Sequence, residues 1–313
     1  MTVSKVIVVG AGPSGLLLTL LLARAGITVE LVEMTRELDA NPRASHYTRD
    51  SCLEFDRAGI LDEVRSKGFL PDGVSWRKLD ENKTRLAFFR SFGDQDDASN
   101  RHRMVCLPLH KLGKIFEAAV LAQPSATLLY EHKVVSIGEE GEKAWVEVET
   151  PGGKQRREAD YVVGCDGANS TIRRLLFGDS FPGTTWNEQI VATNVYYDFS
   201  PYDYDDSNFF IDPEHWHMVA KIQNDGLYRI TYGEKGGLST EQLRERQPGK
   251  FQAFLPGNPT PDRYNIVNFS PYRVHQRCVD RMKVGRFLLA ADAAHLCNPW
   301  HVHRRFLWSF IPP

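Results

Sequence analysis

Three short stretches of the chain end an apolar run in a turn of small residues, and two of these turns carry an acid. The first, "VIVVGAGPSGLLL", spaces Gly10, Gly12 and Gly15 as G-x-G-x-x-G between an apolar run and a second one. In such a loop the first glycine makes a tight turn, the second lets a pyrophosphate approach the backbone, and the third lets helix and strand pack closely. Pro13 falls at the start of the following helix, where its missing N–H costs nothing. Glu33 closes the next apolar run, "ITVELVE". An acid there accepts hydrogen bonds from the hydroxyls of an adenosine ribose and disfavours a 2′-phosphate. The spacing therefore predicts dinucleotide binding, and leaves NAD and FAD undivided.

The second stretch, "ADYVVGCDGANSTIRRLL", puts Asp166 and Gly167 after an apolar strand, with Arg173 a turn into the next helix. Taken alone it reads as an ordinary Asp-Gly turn. The third, "VGRFLLAADAAH", ends another apolar strand in a small-residue turn carrying Asp292. Helix starts and free backbone amides suit phosphate, whereas a carboxylate suits polyol hydroxyls. A fourth cluster, His295, Cys297, His301 and His303, gathers zinc-competent side chains in the H-x-C-x₃-H-x-H order. That spacing fits no common structural zinc site, so no metal is expected.

These turns need strands and helices to hold them. "KVIVVGAGPSGLLLTLLLARAGITVELVE" reads as strand, turn, helix and strand, a βαβ unit. "NPRASHYTRDSCLEFDRAGILDEVRSKG" reads as a loop feeding a helix, and "LPLHKLGKIFEAAVLAQP" as an amphipathic helix ended by Pro124. Residues 71–100 are polar and irregular, with "SFGDQDDASN" read as an excursion or turn. "ATLLYEHKVVSIGEE" and "KAWVEVET" alternate like half-exposed strands, followed by the hairpin signal "PGGK". From 190 to 275 the strands "IVATNVYYDF", "HWHMVAKIQ", "GLYRITYGE" and "YNIVNFSPYRVHQR" dominate, with one helix, "STEQLRERQPGKFQAFL". The change from alternating α and β to mostly β predicts a second domain inserted into the first. The expected fold is α/β, a Rossmann-like domain with an inserted, mostly antiparallel β-sheet domain.

With 313 residues and 42% hydrophobic content the chain can bury a large core. A net charge of −2 implies neither a phosphate-backbone footprint nor a membrane-surface patch, so small neutral or anionic molecules rather than nucleic acid are the expected partners. Five cysteines without CxxC spacing point to reduced thiols and a cytoplasmic setting. The apolar N-terminal stretch is broken by glycine and proline, so no transmembrane segment is expected.

Together, the three motifs resemble the flavin-dependent aromatic hydroxylases, single-component FAD monooxygenases of the para-hydroxybenzoate hydroxylase type. The resemblance runs from residue 3 to about residue 300. It implies an FAD-binding domain of the glutathione-reductase-2 type formed by 1–70, 101–180 and 276–313, with 71–100 and 181–275 binding substrate. It implies that Gly10, Gly12, Gly15 and Glu33 bind the ADP half of FAD and that Arg43, in "PRAS", approaches its phosphates. Asp166 and Gly167 match the family's DG turn, implicated in NADPH use. Ala291 and Asp292 match its GD turn, which holds the ribityl chain and leads to Pro299; here the glycine is replaced and the acid stays. The implied chemistry is reduction of FAD by NADPH, activation of O₂, and hydroxylation of an electron-rich phenol. His46, at the family position facing the flavin edge, is the first acid/base candidate. Arg229 and His217, on neighbouring predicted strands, are candidates to bind a phenolate or carboxylate. Tyr196, Tyr197, Trp216, Tyr228 and Tyr232 have the spacing to shape an aromatic pocket, although aromatics on strands are more often core.

Two sheet fragments, "GLYRITYGE" and "SPYRVHQR", look like fungal secondary-metabolism members, so a phenolic or polyketide-derived substrate is expected. Leu109 stands where many relatives place a glutamine or arginine. The glycine-rich loop and long helix that follow the GD turn in relatives are absent, and the basic, aromatic tail from His301 takes their place. This predicts a shortened pocket. A catalytically impaired relative, or a flavoprotein of the same fold performing epoxidation or reduction, is the alternative expectation.

Overall fold

The computed structural model describes residues 3–39, 44–80, 84–90 and 101–297. The βαβ unit forms as the sequence predicts. Strand β1 (Lys5–Val9) leads through the glycine turn to helix α1 (Pro13–Arg24) and on to β2 (Thr28–Val32). Both strands lie in a six-stranded sheet completed by β7 (Ala126–Leu129), β11 (Tyr161–Gly164), β17 (Lys283–Val284) and β18 (Phe287–Leu289). Its order is β17-β18-β11-β1-β2-β7, parallel throughout except for the β17 edge. Buried on both faces, its central strands are continuous apolar runs. All three turns leave strands of this sheet at the same end, because β1, β11 and β18 are adjacent and parallel.

One face of this sheet is covered by α1 and by α4 (Leu109–Leu121), with α2 (Arg49–Arg57) and α3 (Leu61–Lys67) packed beside them. The other face carries α5 (Thr171–Phe177) and a three-stranded antiparallel meander, β8 (Lys133–Glu140), β9 (Lys143–Thr150) and β10 (Gly153–Ala159). The stretch "ATLLYEHKVVSIGEE" thus contributes to two sheets: Glu131, at φ 56°, turns the chain between them. A short antiparallel pair, β3 (His46–Tyr47) with β6 (Val105–Cys106), sets His46 opposite Cys106.

The large second sheet is antiparallel at every pairing but one, in line with the predicted fold class. Its order is β19-β16-β12-β15-β14-β13-β4-β5. The strands are β4 (Gly73–Lys78), β5 (Arg85–Arg90), β12 (Gly183–Tyr196), β13 (Ser207–Ile211), β14 (His217–Lys221), β15 (Leu227–Glu234), β16 (Asn265–Cys278) and β19 (His295–Leu296). Residues 71–90, read above as irregular, form β4 and β5. Strand β4 pairs in parallel with β13, whose residues lie more than a hundred positions on, so no local turn signal marks it. Helix α6 (Thr240–Phe254) covers one face of this sheet. It starts at a capping box, Ser239 with Gln242, and continues through Pro248 because Leu243, Gln247, Phe251 and Phe254 are buried along one side.

Candidate active site

The three turns open onto one cavity of about 760 Å³, the size of a small-molecule site. Gly10, Gly12, Glu33, Asp166, Gly167, Ala291 and Asp292 all line it, joined by Leu109 and, from the large sheet, Tyr272.

Each glycine of the first turn has its own constraint. Gly10 has φ 101°, and a Cβ there would sit 2.7 Å from the Cys165 carbonyl oxygen. A Cβ on Gly15 would collide with the Gly10 carbonyl. Gly12 is different: nothing lies within 4 Å of the place its Cβ would occupy. It is also the N-cap of α1, with no side-chain cap and no acid in the first turn. Open space over uncapped helix N–H groups fits a phosphate, since those donors otherwise lack partners. Glu33 accepts a hydrogen bond from the Ala11 N–H at 2.7 Å and from the Thr35 N–H and hydroxyl at 3.0 Å. Its carboxylate is thereby fixed beside the glycine turn. These residues fit a dinucleotide.

Asp166 faces the cavity and also caps α5. It accepts from the Thr171 N–H at 2.6 Å, the Ile172 N–H at 3.1 Å and the Ser170 hydroxyl at 2.5 Å. Gly167 follows at φ 77°. The buried Arg173 donates to the carbonyls of Ala168 at 2.7 Å and Ala293 at 3.1 Å, tying this turn to the third. There Ala291 sits at φ 51°, a left-handed conformation that favours glycine, which accounts for the glycine found in the resembling family. Arg43, Pro299, His301 and His303 lie outside the described residues, as does the rest of the tail. Among the described residues no cluster of three metal-binding side chains occurs.

His46 and Arg229 come together. Burial holds the His46 imidazole down at about 4, aided by the Arg229 charge. Its Nδ1 lies 3.0 Å from the Ser45 hydroxyl and 3.9 Å from the Cys106 sulfur, while Nε2 is shielded from solvent with no partner among the described residues. Arg229, whose Nε donates to Asn194 Oδ1 at 3.0 Å, is pushed down by burial. Burial raises the Cys106 thiol to about 12 and lifts the Tyr47 and Tyr272 phenols above their ordinary range. The Arg229 charge thus acts on His46, Tyr47, Cys106 and Tyr272, and Asp206 and Lys221 act on Cys106 as well.

His217 is elsewhere. Directly paired residues share a face, and His217 pairs with Tyr232, three residues from Arg229 and so on the opposite side of β15. Its ring lies between Phe210 at 4.3 Å and Phe254 at 4.2 Å, under α6. Tyr197, Tyr228 and Tyr232 belong to the same core. Tyr272 pairs with Ile190 and so faces the Arg229 side. Tyr47, Cys106 and Tyr272 carry no motif; only the register of β3 with β6 and of β12 with β16 brings them in.

The glycine turn, the acid fixed beside it and the two further turns converge on one cavity, whose lining includes neither His46 nor Arg229. Residues 3–302 match the FAD binding domain family. The chain is 35% identical over 298 residues to para-nitrophenol 4-monooxygenase of Pseudomonas sp. strain WBC-3, covering 95% of this chain and 73% of that one. It is 35% identical over 303 residues to 6-hydroxy-3-succinoylpyridine 3-monooxygenase of Pseudomonas putida strain S16, covering 94% and 74%. The crystal structure of p-nitrophenol 4-monooxygenase from Pseudomonas putida DLL-E4 superposes with a TM-score of 0.88 at 36% identity, over 95% of this chain and 74% of that one. The chain belongs to the FAD-binding-domain family of FAD-dependent monooxygenases.

Proposed function

We propose that the protein is an FAD- and NADPH-dependent monooxygenase that hydroxylates a small phenol in the presence of O₂. The observation that carries this reading is the convergence of the three turns on one cavity bordered by Tyr272. Gly12 and the start of α1 hold the cofactor's pyrophosphate, Glu33 its adenosine ribose, and Asp292 its ribityl chain. The chemistry supplied by bound FAD is hydride acceptance from NADPH and activation of O₂. Arg229 stabilises the phenolate as the bound phenol loses its proton. His46, neutral above pH 4, accepts the phenol proton. With Nδ1 beside Ser45, Nε2 is the nitrogen left to carry it.

The relatives named for nitrophenol and hydroxypyridine substrates favour a single-ring acceptor. The likeness of two sheet fragments to secondary-metabolism enzymes extends the proposal to a polyketide-derived phenol, which the same corner would accept by its phenolate. Among the described residues no helix is long and apolar enough to cross a membrane; the cysteine pattern supports a cytoplasmic setting.

The test loads the purified protein with FAD and follows NADPH oxidation and hydroxylated product over a panel of phenols. A phenol-dependent rate with product is expected, and His46→Asn should lower it by about 10²–10⁴-fold while flavin stays bound. No phenol-dependent oxidation across the panel rejects the reading.

A further inference from the structure

The face of the large sheet that carries Arg229 is not level. Strand pairing sets it out in rows, because directly opposed residues share a face and every second residue of a strand returns to it. Asn194 stands opposite Arg229, and its side-chain oxygen accepts from the Arg229 Nε at 3.0 Å. Two residues along, the row is Ser270, Ala192 and Thr231, all short side chains. Two further, it is Tyr272, Ile190 and Gly233. The middle row is thus the floor of a trough, and the trough is open: Ser270 is exposed and Ala192 only half-buried.

Gly233 would leave the far row low, but Trp216 fills it. His217, at the start of β14, pairs with Tyr232, so Trp216 stands opposite Gly233, whose N–H donates to the Trp216 carbonyl at 3.3 Å. A Cβ on Gly233 would fall against Cζ2, Cε2 and Nε1 of the indole. The half-buried ring therefore takes the place of the missing side chain, on the Arg229 face, and only glycine lets it lie there. From Arg229 to Gly233 is four residues of extended strand, about 13 Å. Arg229 stands at one end of that length and the indole at the other. Tyr272, exposed on the same row, also lines the cofactor cavity, so the trough runs beside it.

We infer that Trp216 is the end wall of the substrate site and sets how far a phenol held at Arg229 extends along the sheet. One ring with a short para substituent fits between them; a second ring in line with the first meets the indole. The short floor lets the substrate ring lie close to the sheet, and the indole gives its far end an apolar, aromatic contact. The inference rests on the reading of Arg229 and His46 as the phenol-binding corner, and it names the residue that selects among phenols.

Two phenols of different length, 4-methylphenol and 4-phenylphenol, test it on FAD-loaded protein, with binding measured by equilibrium dialysis and turnover by NADPH oxidation. The parent should prefer 4-methylphenol. Trp216→Ala should move the ratio of the two dissociation constants by about tenfold or more towards 4-phenylphenol, the scale on which an apolar wall discriminates. Trp216→Phe, which keeps a smaller ring, should fall between, and it carries the comparison should Trp216→Ala fail to fold. A tryptophan that served only to hold the sheet would weaken both phenols together and leave their ratio unchanged. An unchanged ratio in the folded variants, or a parent that binds the two phenols equally, overturns the wall; a parent that binds neither overturns the phenol-binding corner with it. NADPH oxidation that ignores both phenols while the binding ratio shifts as expected rejects the monooxygenase reading and leaves the wall standing.

Discussion

Ala291 shows how a single position records a constraint. Its φ of 51° places an alanine Cβ in a left-handed turn, where an L residue is disfavoured by about 1–2 kcal/mol. Ala291→Gly should therefore raise stability by about 1 kcal/mol, measured by urea unfolding; a neutral or lowered midpoint would mean that the turn relaxes around the alanine. His46 makes a second prediction at this scale. Its folded pKa of about 4 lies below the ordinary 6.5, so between those values the unfolded chain binds a proton that the folded chain refuses. Stability is fully present above pH 6.5 and falls as pH drops towards 4, by at most ~3 kcal/mol from this group. His46→Gln should flatten that part of the pH–stability curve relative to the parent; identical slopes would show that His46 titrates normally. The three turns of the cofactor cavity were legible because their chemistry sits in adjacent residues. His217 was not separable from Arg229, because a strand shows its alternation in sequence and hides which face meets the site.

At the scale of elements, Asp166 has two positions to hold at once. Three donors from Ser170, Thr171 and Ile172 converge on its carboxylate, so it supports the Ser170 N-cap and takes the first two N–H groups of α5 as well as lining the cavity. Asp166→Ala should cost roughly 0.5–2 kcal/mol, as loss of a helix cap does, whether or not the residue also serves NADPH. Asp166→Asn, which keeps an acceptor oxygen, should recover part of that. Chemical denaturation of both variants decides it: equal loss in the two would assign the effect to charge, and no loss in either would remove the capping role. The helices α1, α4 and α6 were readable from apolar periodicity and their ends. Strands β4 and β5 were not, since β4 pairs with β13, supplied by distant sequence, and β5 is laid onto β4. The break between β7 and β8 was equally hidden, because Glu131 adopts positive φ without the glycine that usually announces it.

Across the whole molecule, the cavity draws its lining from several layers of the fold. The glycine turns come from the parallel sheet, Lys133 and Val134 from the meander, Leu109 from α4, and Tyr272 from the large sheet. A ligand seated there contacts all of them only when the chain is folded, so its binding free energy adds to folding stability. With FAD at about a hundred times its dissociation constant the gain is ~2.7 kcal/mol, which for a chain of this size corresponds to a rise of about 4 °C in the thermal midpoint. Gly12 separates binding from folding. No atom lies within 4 Å of its missing Cβ, and its φ of −65° suits any residue, so Gly12→Val should fold with an unchanged midpoint in the absence of FAD and lose the FAD-dependent rise. Gly15→Val, by contrast, drives a side chain into the Gly10 carbonyl and should lower the midpoint with or without cofactor. Thermal unfolding of the three proteins with and without FAD distinguishes the cases. A Gly12→Val protein that keeps the full FAD-dependent rise would mean that the cofactor does not pass over this turn, and the assignment of the cavity would fall with it.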